Sequence, residues 1–97
     1  MVQRRRATTA ELVPDSDIER VHANANFGAL SKRAVVDEGV LKYAFGFDTG
    51  HTQMQILMEH GLISIRHVAH RPMLTAKGKN YLRALGSRVL AAFGTAA

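Results

Sequence analysis

Five histidines, four serines and one adjacent carboxylate pair are the residues of this chain best suited to chemistry. A metal site needs three or four convergent ligands. His51 and His60 fall on opposite sides of a helix, and His67 and His70 have no carboxylate near them in sequence to complete a set. There is no cysteine, which excludes disulfides and thiolate zinc sites. Ser16, Ser31, Ser64 and Ser87 lack the glycine-flanked turn of a nucleophile elbow. Asp37-Glu38 reads as a solvated helix pair. Gly46 to Gly50 and Gly78-Lys79-Asn80 both miss the glycine spacing or the Gly-Lys-Ser/Thr ending of a phosphate loop. The residues therefore point to no enzyme, no metal and no cofactor, with the histidines as polar surface groups.

Binding chemistry remains. Thirteen Lys and Arg against eight Asp and Glu give a formal charge of +5 and a pI near 10.3. Such a balance attracts polyanions without choosing among them. The chain has 97 residues, 46% of them hydrophobic, which suits one small folded domain. No apolar run approaches the roughly 20 residues of a membrane span. The expectation is a protein without membrane contact, cytoplasmic and nucleoid-associated, with neither a secretory signal nor a disulfide framework.

The elements that must position these residues are legible in order. Residues 1–14 lack periodicity and read as a flexible basic arm, in which Arg4, Arg5 and Arg6 could lie along phosphates. Ser16-Asp17-Ile18-Glu19 has the form of a capping box, predicting a helix from Asp17 to Asn24 with Ile18, Val21 and Ala25 inward. Asn24, Asn26 and Gly28 mark a turn. Ser31 caps a second helix to Phe45, with Val36, Val40, Leu41 and Ala44 near one face. Gly39 within it either permits close helix contact or divides the segment in two. Phe45 and Phe47 are read as core or hinge packing.

The stretch from Asp48 to Ile63 is central. Asp48 or Thr49 would cap a short helix; Met54, Leu57 and Met58 share one face, and Gly61 stops it. Ile63 to Val68 alternates as a half-buried strand, Ala69 to Pro72 turns, and Met73-Leu74 returns. Thr75 caps a last helix to Phe93, whose stripe is Tyr81, Leu82, Leu85, Val89, Leu90 and Phe93. That helix is longer than one small core needs. Leu85, Val89, Leu90 and Phe93 are therefore the candidate surface for a homodimer. Residues 15–93 make the domain, and 94–97 fray.

In this order, Met58-Glu59-His60-Gly61-Leu62-Ile63 and Leu74-Thr75-Ala76-Lys77-Gly78-Lys79-Asn80-Tyr81-Leu82 resemble segments of winged helix-turn-helix DNA-binding proteins, especially the MarR-like and ArsR-like branches. The resemblance spans about Asp37 to Leu85. It implies a mainly α fold with a small β-hairpin, a dimer through the C-terminal helix, and transcription regulation on double-stranded DNA. The helix at 49–60 would then be the recognition helix, with His51, Thr52, Gln53 and Gln55 toward the bases; Gln suits adenine and Thr suits thymine. Backbone contacts would come from Lys32, Arg33 and Lys42, from a short wing at 66–71 (Arg66, His67, His70, Arg71), and from Lys77 and Lys79. One departure stands out: the recognition helix holds no Lys or Arg, and Ile56 and Met58 widen its apolar side. Two alternatives therefore stay open. One is a winged-helix module that binds a protein partner; the other is a weakly specific nucleoid or plasmid-partition protein.

Overall fold

The computed structural model describes residues 7–22, 31–66 and 71–93. Their order is α1 (Thr9–Leu12), α2 (Asp15–Val21), α3 (Lys32–Ala44), α4 (His51–Glu59), β1 (Ile63–Arg66), β2 (Arg71–Leu74) and α5 (Ala76–Ala92). The fold is mainly helical with one antiparallel hairpin, in which Ile63 faces Leu74 and Arg66 faces Arg71. α3 packs on α4, α5 and β2, and α1 packs on α5. Val13, Val36, Val40, Leu57, Leu62 and Tyr81 form the buried centre.

Both helix ends around α4 are built by glycine. Gly46 has φ +81° and Gly61 has φ +73°. After Gly46, the Phe47 amide donates to the Lys42 carbonyl at 2.8 Å; after Gly61, the Leu62 amide donates to the Leu57 carbonyl at 3.0 Å. These are Schellman stops, which need a left-handed residue at the turn. α3 runs unbroken through Gly39, where a methyl group would meet Leu57 Cδ1 at 2.5 Å. The glycine thus serves close helix contact.

Several expectations change. Residues 9–13 are no arm: Thr8 and Glu11 form a reciprocal capping box for α1, and Val13 is wholly buried. The T-x-x-E signature was in the sequence, as plain as the one at Ser16. Ser16 caps nothing, because α2 starts earlier, with Pro14 as its N-cap. Gly50, not Asp48 or Thr49, is the N-cap of α4. The Thr49 hydroxyl instead lies 2.9 Å from that of Tyr43. Leu41 and Ala44 face outward, while Val35 turns inward with Val36 and Val40. Ile56, counted as surplus, is core, and Met58 is exposed. Phe45 and Phe47 are exposed at 74% and 65%, so they pack neither core nor hinge. Ala25 and the turn at 24–28 lie outside the described residues.

α5 is held at its start from three sides. The Thr75 side chain accepts from the Gly78 amide at 3.0 Å and donates to the Gly61 carbonyl at 2.6 Å. Its own amide donates to the Leu62 carbonyl at 2.9 Å. The hairpin and α5 are thereby fixed to the end of α4. From Gly86 onward every described residue of α5 is exposed.

Candidate nucleic-acid interface

α4 presents two unlike sides. Inward, Leu57 and Ile56 join the core, and Gln53 is 8% exposed. Gln53 Nε2 donates to the Val35 carbonyl of α3 at 2.8 Å. Gln53 was expected at a base edge; it is instead a buried strut between α3 and α4, because its position follows the inward side of the helix. Outward, His51, Thr52 and Gln55 are exposed. They make no side-chain hydrogen bond among the described residues. The first turn of α4 has no side-chain cap.

The expected phosphate contacts divide. Arg71 is exposed at the start of β2, opposite Arg66 in the ladder. Lys79 is exposed on α5 and Lys77 is half-buried. Lys42 lies 3.2 Å from Glu38, and Lys32 lies 2.8 Å from Glu19. Both pairs are solvent-accessible and weak, so either lysine can change partner. Arg33 cannot. Its side chain is 19% exposed and donates to Asp15 at 2.7 Å, to the Val13 and Thr9 carbonyls at 2.7 and 3.3 Å, and to the Tyr81 hydroxyl at 3.2 Å. Burial opposes its charge, but the bonds to Asp15 and Tyr81 outweigh that and its pKa is raised. Arg33 is a structural hub, its donors taken up within its own chain. Arg4, Arg5, Arg6, His67 and His70 lie outside the described residues.

A groove of about 330 Å³ runs between the 45–50 turn and β2, bordered by Tyr43, Phe47, Asp48, Arg71, Met73 and Lys79. It sets two cations beside exposed apolar surface at the foot of α4. On the far side, Asp37 accepts from the Tyr81 hydroxyl at 2.7 Å and from Arg88 at 2.6 Å. Asp37 is therefore an anchor and not a solvated residue. Burial first, then the bond to Asp37, pushes the Tyr81 phenol well above its ordinary value, against Arg33. Tyr81 is fully buried, and a buried phenol requires a partner. That rule could have flagged the network from the apolar stripe alone, though not which residues supply it.

The dimer surface also needs correction. Leu85 is 3% exposed within its own chain and belongs to the core. Val89, Leu90 and Phe93 remain open, the last two at 68% and 83%. Two of the five histidines were misjudged as surface groups: His22 and His60 are buried. Among the described residues no helix is long and apolar enough to cross a membrane. No protein-family model, curated protein or solved structure matches this chain.

Proposed function

We propose that this chain is a winged-helix DNA-binding protein, acting as a homodimer in transcription regulation. The observation that carries the reading is the arrangement around α4. A helix, a turn, α4, a two-stranded hairpin and a further helix follow in unbroken order. Within it α4 is anchored on one side and leaves His51, Thr52 and Gln55 free at its N-terminal end on the other. Such a helix can enter a major groove N-terminus first. Gln55 would pair with an adenine edge, and Thr52 would meet a thymine methyl. The uncapped first turn favours a phosphate, since its amides and dipole both attract anions. Arg71, Lys79, Lys42 and Lys32 would hold the backbone, and Arg66, His67, His70 and the arginines at 4–6 would add their charge to the same task. The dimer would form through Val89, Leu90 and Phe93, placing two α4 helices at successive grooves.

Fluorescence anisotropy on random duplex and on a fragment flanking the chain's own coding region tests this. A regulator binds the native fragment a hundredfold or more tighter than random duplex, with a steep salt slope. Gln55→Ala should narrow that gap by about 5- to 100-fold, whereas Arg71→Ala should weaken both alike. Leu90→Asp should give a monomer in sedimentation and lose affinity for the paired site. Equal binding to both duplexes would instead indicate a nucleoid or plasmid-partition role.

A second reading is a protein-interaction module of the same architecture. Phe45, Phe47, Ile65 and Met73 favour it, since all four are exposed apolar side chains on the turn and hairpin. Absence of binding to any duplex at low salt would support that reading over the first.

A further inference from the structure

His22 and His60 are distant in sequence and neither faces the proposed DNA side. Each closes a helix: His22 is the C-cap of α2, and His60 is the C-cap of α4. Their side chains turn inward and meet, Nε2 to Nε2, at 3.3 Å, with ring centroids 5.5 Å apart. They are 0% and 5% exposed. A bond between two imidazoles needs one N–H and one bare nitrogen, so when both rings are neutral they are of opposite tautomers. His22 Nδ1 is buried and has no partner among the described residues. An unpaired acceptor is tolerated better than an orphaned N–H. His22 is therefore the ring that donates through Nε2, and His60 the ring that accepts.

A shared metal ion is the other use for such a pair. Among the described residues no third ligand converges to complete a site. Charges of both signs surround the pair instead: Lys32, Lys77 and Arg20, with Glu19 and Asp17. α2 packs mainly on α3, and this contact joins its C-terminal end to that of α4.

We propose that the His22–His60 pair is an acid-sensitive latch. While both rings are neutral it holds α2 to the C-terminal end of α4, and uptake of one proton releases α2. A proton on His60 Nε2 removes the accepting lone pair, and the bond survives only if the extra proton sits on His22 Nδ1, where it is a buried N–H without a partner. The proton also places a charge where water cannot reach. The C-terminal ends of two helices favour a cation there. The other neighbours oppose it in sum. Burial is the largest influence on both rings and lowers both. On α2, Glu19 attracts a charged His22 and Asp17 a charged His60, while Arg20 repels His60. From α3, Lys32 repels His22; from α5, Lys77 repels His60. His60 falls to about 4.

Opening returns the rings to water and to their ordinary value of 6.5. Each unit of acidification below that value therefore favours the open form up to about tenfold for each ring that regains it. α2 is suited to leave. It has seven residues, no side-chain cap at its start and Ile18 as its one buried residue, so apart from the histidine pair it is held by Ile18 and by the Asp15–Arg33 and Glu19–Lys32 ion pairs. The latch operates whether or not α4 meets DNA.

Long-range proton–nitrogen NMR of the full chain, titrated from pH 7.5 to 4, reads the charge and tautomer of each ring. The expected result is a neutral pair of opposite tautomers at pH 7, with His60 still neutral at pH 5.5. As the pair protonates, the amides of residues 15–22 should lose helical shifts while those around Tyr81 keep theirs. Titration of both rings near 6.5 with α2 unchanged would overturn the latch. So would an acid transition that takes α5 together with α2. A double variant, His22→Leu with His60→Leu, supplies the second readout. Its α2 should stay helical down to pH 4.5, and an acid release of α2 that persists in it would equally refute the proposal.

Discussion

Two glycines of α5 make opposite demands, and replacing each with alanine separates packing from helix propensity. At Gly86 a methyl group would meet nothing within 4 Å. Helix interior alanine is better than glycine by about 1 kcal/mol, so Gly86→Ala should stabilise by about 0.5–1 kcal/mol. At Gly78 the same methyl would overlap the Leu62 carbonyl oxygen and press on Leu74 Cδ2 at 3.1 Å. The oxygen belongs to backbone and cannot rotate away. The first turn of α5 would have to retreat from β1. That retreat weakens the bond from the Thr75 amide to the same carbonyl and the Thr75 cap on residue 78. Overpacking costs about 1–3 kcal/mol, a lost cap about 1, and a lost buried hydrogen bond about 1 or more. Against these stands about 1 kcal/mol of propensity. Gly78→Ala should thus destabilise by about 2–4 kcal/mol, a large share of the roughly 5–15 kcal/mol expected for a domain of this size. Urea unfolding followed by circular dichroism at 222 nm measures both. Equal stabilisation by the two alanines would refute the close approach of α5 to Leu62 on which the placement of the hairpin depends.

Three further outcomes follow from the site. Gln53→Leu keeps the buried volume but removes the bond to the Val35 carbonyl, which retains its helical partner, so it should cost about 0.5–1.5 kcal/mol in urea midpoint analysis. Gln55→Ala should change stability by no more than about 0.5 kcal/mol. Arg33→Lys keeps the charge but cannot reach the Val13 and Thr9 carbonyls, Asp15 and Tyr81 together; thermal unfolding should show a loss of about 1–3 kcal/mol. Stability should also depend on pH through His60. The unfolded chain takes up its proton near 6.5, the folded chain only near 4. Between these values the unfolded state binds more protons, so stability is full above 6.5 and falls as pH drops toward 4. The loss reaches at most about 3 kcal/mol for this ring, with His22 acting in the same direction. Urea midpoints at pH 7.5, 6.5, 5.5 and 4.5 would show it, and a flat series would count against the buried pair.

Local chemistry was legible because it depends on near neighbours. Ser31 and Thr75 cap as expected, since a hydroxyl one turn before a free amide needs no distant partner. Gly61 stops α4 for an equally local reason. Alternation around Ile63 and Ile65, followed by Met73-Leu74, pointed to the hairpin, although Arg71 and Pro72, read as turn, belong to β2. Failures arose where two local signals competed or where the partner lay far along the chain. Thr8 and Ser16 offer similar capping patterns, and the burial of Val13 favours the first. Met58 and Ile56 are both apolar, and only the packing of α4 against its neighbours determines which is core. Gln53 sits one residue from positions that do face outward, and helical phase to that accuracy cannot be read from nine residues of which Met54, Ile56, Leu57 and Met58 are the apolar ones.

By itself, then, the chain's order of apolar stripes, caps and glycines determined the succession of helices and the hairpin, because those signals act over one or two turns. The tertiary structure alone decided which polar groups are free to bind. Arg33 and Asp37 are ordinary surface types until α1, α2 and α5 close over them. His22 and His60 become a pair only when α2 and α4 end at the same point. Burial is a property of what packs against a residue, and here those neighbours are 38 residues apart in the chain.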